Sequence, residues 1–131
     1  MKRDMDLIRE LLLKLEGLDN KPGSIYSLTA YEDLPIEGRT PDQIDYHMGL
    51  LYEAGLLDSG DSINRMMSGG WLFSRLSWSG HEFLDSIRDP EVWRRTKEGA
   101  SKVGGWTVGL LKDISAAYLK YLAKEKLGLD I

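Results

Sequence analysis

Apolar residues recur at three- and four-residue steps near the start of the chain: Met5, Ile8, Leu11, Leu12 and Leu15. On a helix they form one stripe, so the spacing predicts an amphipathic helix over residues 5–16. Asp4 stands where an N-cap accepts from the first free N–H groups, and Gly17 suits the left-handed turn that ends a helix. Residues 19–24, DNKPGS, have turn chemistry, and the β-branched and aromatic mixture from Ile25 to Leu34 predicts a short strand. The clearest helix start follows. Thr40, Pro41 and Gln43 match a capping box with proline at the first helical position, opening a helix that runs to about Ala54 and stops at Gly55. Ile44, Met48, Leu51 and Tyr52 share its expected inner face, with His47 near the edge; Asp42, Asp45, Tyr46, Gly49 and Glu53 share the outer one.

Beyond it, Leu56–Leu57, the polar run DSGDSINRMMSGG and then WLFSRLSW predict a strand, a long loop and a second strand pairing back on the first. That is a β-hairpin with an extended tip, or wing. Trp71, Phe73 and Arg75 alternate with Leu72, Ser74 and Leu76, as on a strand with one buried side. Ser79 with Glu82 predicts a capped helix over 80–88, with Phe83, Leu84 and Ile87 inward. Asp89–Pro90 opens the next, about 90–103, carrying Trp93, Thr96, Ala100 and Val103. Gly104–Gly105 breaks it, and Thr107 opens a last helix to about residue 126, striped with Leu111, Ile114, Tyr118, Tyr121 and Leu122.

Helix, short strand, helix, hairpin, helix is the order of an α+β winged helix-turn-helix-like domain. Residues 25–38 stand where a short helix and tight turn belong, so the second helix is modified or missing. The expected organisation is a winged-helix-like domain over 1–88 and a helical C-terminal extension over 89–131, packed on the domain or forming a dimer interface.

Composition removes several chemistries. The chain has no cysteine, which excludes disulfides, thiol catalysis, iron–sulfur clusters and cysteine-based zinc sites. No apolar run approaches bilayer length, and Asp4, Asp6, Arg9 and Glu10 interrupt the N-terminal apolar residues, unlike a signal peptide. A cytoplasmic protein with no membrane partner is expected. The net charge of -4 is uneven: residues 1–60 hold 6 basic and 12 acidic groups, residues 61–131 hold 11 and 9. A polyanion should therefore prefer the C-terminal half.

Three segments carry a family likeness: MKRDMDLIRELLLKLEG, IDYHMGLLYEAGLL and LSWSGHEFLDSIRDPEVWRRTK. In that order they resemble the bacterial and phage-associated family called domain of unknown function 2513. The resemblance implies a winged-helix-like fold and frequent occurrence among prophage genes. It implies no activity and brings no functional residues.

No cofactor, metal site or catalytic group is expected. His47 and His81 are the only histidines, on different helices, and are better explained as boundary side chains than as a base or ligands. Asp42 and Glu82 suit the positive end of a helix dipole. Two binding readings remain. The first is a phage-type regulator that binds double-stranded DNA weakly, without catalysis. It would use Arg39, Gln43 and Tyr46 around helix 41–54, Asn64, Arg65 and Arg75 of the wing, and the basic cluster Arg94, Arg95, Lys97 and Lys102. Helix 41–54, however, lacks Lys and Arg. The second reading is therefore a protein-interaction module using Asp42, Asp45, Tyr46 and Glu53. The last helix has more apolar width than a surface helix needs, which makes Trp106, Leu111, Ile114, Tyr118 and Leu122 candidates for a homodimer interface.

Overall fold

The computed structural model describes residues 1–19 and 21–130. Its helices are α1 (Met5–Glu16), α2 (Pro41–Glu53), α3 (Trp78–Ile87), α4 (Pro90–Val103) and α5 (Val108–Leu127). Its strands are β1 (Tyr26–Leu28), β2 (Leu57–Asp58), β3 (Trp71–Phe73) and β4 (Arg75–Leu76). The fold is α+β, with two small antiparallel sheets and extra C-terminal helices. The chain forms two compact units, Met1–His81 and Glu82–Ile131, divided within α3.

In unit 1, α1 begins where its pattern predicts. The Asp4 carboxylate accepts from the N–H groups of Asp6 (2.9 Å) and Leu7 (3.3 Å). Leu7, Leu11, Leu12 and Leu15 of α1 are fully buried, as are Ile44, Met48 and Leu51 of α2. Each such side chain contributes about 1.5–3 kcal/mol by leaving water. The Thr40–Gln43 capping box is formed at both of its bonds, 3.2 and 2.9 Å. Between β1 and α2 no described residue is helical beyond a single turn, in which Asp33 N donates to Thr29 O. The short strand expected within 25–34 is Tyr26–Leu28, and it stops there. The Asp33 carboxylate explains why: it accepts from Thr29 N at 2.8 Å and turns the chain.

β3 and β4 are one strand that changes partner. Residues 71–73 pair with β1, and residues 75–76 with β2. Leu72 N donates to Asn64 O and Ser74 N to Asp58 O, so the arm 57–66 lies along one edge and leaves the other to β1. The expected alternation slips at Ser74: Trp71, Phe73 and Leu76 are buried while Arg75 is exposed. At the tip, Met66 N donates to Gly70 O and Gly69 N to Met66 O, closing a tight turn.

The head of α3 differs from expectation. Ser77, not Ser79, is the cap: its Oγ accepts from Gly80 N at 3.0 Å and donates to Gly55 O at 2.5 Å. The reason is Gly80, where an added Cβ would lie 2.1 Å from the Leu56 carbonyl oxygen. Backbone meets backbone there, so the helix starts one residue after the hairpin's last bond, Ser77 N to Leu56 O.

In unit 2, α4 is capped by Asp89, whose carboxylate accepts from Glu91 N and Val92 N, and ends at Gly104 with φ 74°. α5 is capped by Thr107 and packs along α4, where an added Cβ on Gly99 would come 3.1 Å from Ile114 Cγ2. The hydroxyls of Thr96 and Ser115 are buried by donating back to the carbonyls of Val92 and Lys112 in their own helices. Val103 is exposed, in the last turn before the break.

Candidate functional site

Trp71 organises the outer face of α2. Its ring stacks on Tyr52 at 5.7 Å between centroids, its rim touches the space above Gly49, and its Nε1 donates to Asp45 at 3.0 Å. Arg65 lies over the same ring, 4.4 Å from the centroid, and its Nη2 donates to both Asp45 oxygens at 2.9 and 2.8 Å. The Tyr52 hydroxyl donates to Leu72 O, and burial, helped by the Asp58 charge, pushes that phenol far above its ordinary value. The hairpin is thus folded onto α2, and part of the face expected to meet solvent is covered by the chain itself. The Trp71 ring reaches Gly49 at ordinary contact distance, an added Cβ there lying 3.4 Å from it.

The expected nucleic-acid residues of unit 1 are not brought together as free cations. Arg39 pairs with Asp4 and lies 3.9 Å from Glu10. Gln43 spends its side-chain oxygen on Thr40 N. Asn64 accepts from Ser59 Oγ at 2.9 Å, Arg65 is held by Asp45, and Arg75 donates to Asp58 at 3.2 Å. The acidic alternative is also changed. Asp45 is neutralised by Arg65, and Asp42 accepts from the Tyr31 hydroxyl at 2.6 Å. That bond holds the Tyr31 phenol above its ordinary value. Tyr46 and Glu53 remain exposed, together with Tyr31 and the tip residue Met67. Tyr31 was not among the expected contact residues; its position eleven residues before Asp42 gave no local signal.

His47 is buried rather than at an edge. Its Nδ1 donates to Gln43 O at 2.7 Å, which leaves Nε2 to accept from Asp4 N at 2.8 Å. Both nitrogens serve the junction of α1 and α2. His81 is about half exposed, 4.0 Å from Glu16. Among the described residues, no group of three or more His, Asp or Glu could hold a metal, and no buried side-chain nitrogen or oxygen lacks a partner. No helix is long and apolar enough to cross a membrane.

In unit 2, Arg94 closes on Glu91 and on Glu98, each at 2.5 Å. Its hydrogen bond holds the Glu91 carboxyl below the ordinary range. Arg95 is held more loosely, 3.4 Å from Glu91 and 3.7 Å from Glu98. Lys97 lies over the Trp93 ring at 5.5 Å, and Lys102 is exposed. Between α4 and α5 runs a groove of about 640 Å³ with Gly99 and Ile114 at its floor and Tyr118 and Tyr121 on one wall. Arg95, Glu98 and Lys102 line the α4 side. The two tyrosine rings stack at 6.2 Å with 23° between planes. Of the residues expected at a dimer interface, Leu111 is fully buried within the fold and offers no surface; Ile114, Tyr118 and Leu122 are partly covered, and Trp106 is exposed.

Residues 2–106 match the family described as "Hypothetical protein (DUF2513)". A Haemophilus influenzae protein described as "Uncharacterized protein" is 41% identical over 102 residues, covering 74% of this chain and 76% of that one. No solved structure matches. The matched stretch takes in the whole α2–hairpin face and α4, and stops before α5. The chain belongs to the DUF2513 family.

Proposed function

We propose that the chain is a non-enzymatic regulatory binding module, in which unit 1 is a winged-helix-like domain whose α2–hairpin face meets a protein rather than duplex DNA. The order α1, β1, α2, hairpin supports the winged reading, with β1 on the strand edge the hairpin leaves open. One turn over Thr29–Asp33 replaces the second helix. The observation that carries the protein reading is Arg65 closed on Asp45 across Trp71. A groove-reading helix needs cations toward phosphate; α2 has neither Lys nor Arg, and the hairpin's nearest cation is already paired. The exposed remainder, Tyr31, Tyr46 and Met67, is of the types enriched in protein interfaces.

A second reading, weak duplex binding through the basic helices, is favoured by residues 86–126, which hold 9 basic and 5 acidic groups. One pair of measurements separates the two. A photo-crosslinking residue at Tyr46 is expected to trap a discrete, salt-tolerant protein adduct, and random duplex DNA is expected to show no binding that depends on Arg65. Duplex binding at low salt that is abolished by Arg65→Ala would overturn the protein reading, and duplex binding abolished by Arg94→Ala with Arg95→Ala would support the second reading.

A further inference from the structure

We propose that the α4–α5 groove takes a single-stranded oligonucleotide, with a base lying against the Tyr118–Tyr121 pair and the adjoining phosphates held by Arg95 and Lys102. The aromatic wall is the first support. Tyr121 keeps 57% of its surface exposed although it stacks on Tyr118, so the pair presents a ring face that core packing does not consume. Bases stack on such faces irrespective of their identity. The floor is the second. Gly99 lets Ile114 pack close against α4, an added Cβ there coming 3.1 Å from Ile114 Cγ2, so these two residues close the bottom of the groove and the open space lies beside the rings.

Charge is the third support. Arg94 engages both Glu91 and Glu98 at 2.5 Å and offsets one of their two charges; with Arg95 and Lys102 added, the α4 side of the groove keeps one net positive charge. Arg95 sits farther from both carboxylates, at 3.4 and 3.7 Å, and can turn toward a phosphate without breaking a short ion pair. Lys102 adds a flexible cation on the same side. A cationic rim facing stacked rings across a groove is the arrangement that tracks a strand with its bases unpaired. A duplex hides its base faces and offers the tyrosines nothing to stack on.

Nothing here rests on the α2–hairpin reading. The test is fluorescence anisotropy of the full chain with dye-labelled oligothymidylate and, separately, a duplex of equal length. The oligothymidylate should bind at low salt, more tightly than the duplex, and weaken as salt is added. Tyr121→Ala should weaken it about tenfold; Tyr121→Phe, which keeps the ring, should bind like the parent; Lys102→Ala should flatten the salt dependence. Tyr46→Ala should leave binding unchanged, which keeps this result separate from the protein reading. No binding at low salt, equal binding by Tyr121→Ala, or a duplex bound as well as the single strand would overturn the proposal.

Discussion

Asp4 holds three groups at once: the N–H of Asp6, the N–H of Leu7 and the Arg39 guanidinium. Burial pushes its carboxyl up, but the Arg39 hydrogen bond and the two N–H groups outweigh that and hold it below its ordinary value. A carboxylate depressed in the folded state adds stability that is complete above the unfolded value and is lost as pH falls through the folded one. Thermal unfolding followed from neutral pH down to about pH 2 should show that loss, and Asp4→Asn should reduce it by removing the titrating group. A variant with an unchanged acid limb would remove Asp4 from the cause. The role of Asp4 as a cap was legible in the sequence because capping is local; its bond to Arg39, 35 residues away, was not. His47 shows the same limit. Helical angle places it at a boundary, and only the docking of α1 supplies the Asp4 N–H that draws it inside.

At the scale of elements, both capping signals built on proline were correct, and so were the stripes of α1 and α2. The misplaced cap of α3 came from reading side chains where a backbone approach decides. Gly80→Ala should be strongly destabilising, by about 3 kcal/mol or more, because the clash is with the Leu56 carbonyl and neither chain can give. Gly109, in the first turn of α5 with open space around it, is the control: Gly109→Ala should raise stability, by up to about 0.5 kcal/mol. Urea unfolding of the two variants reads both signs. The covering of α2 by its own hairpin could not be seen in advance, since Asp45 and Trp71 lie 26 residues apart and each is ordinary in its own segment. The expected binding residues were identified as types; the carboxylates that occupy Arg39, Arg65 and Arg75 are supplied by tertiary structure, while Arg94 and Arg95 meet Glu91 and Glu98 within their own helix.

Over the whole molecule charge and relatedness are distributed differently. Residues 1–81 hold 8 basic and 13 acidic groups, and residues 82–131 hold 9 and 8. The family match spans the acidic unit and α4 but not α5. Because Leu111 and Ser115 of α5 are fully buried beside α4, a chain shortened after Trp106 should expose apolar surface. Increased binding of a hydrophobic dye, or self-association on sizing, checks this; a monomeric, dye-silent product would mean that α4 needs no cover.

The clamp beside the hairpin's turn also fixes what that turn is free to do. With Arg65 and Trp71 pinned to α2 and the turn closed by Met66 and Gly70, Met67 stands wholly in solvent on a short turn just beyond the pinned end of the stem. Extra residues or a reporter group spliced between Met67 and Ser68 would be carried on that stem without loosening its footing.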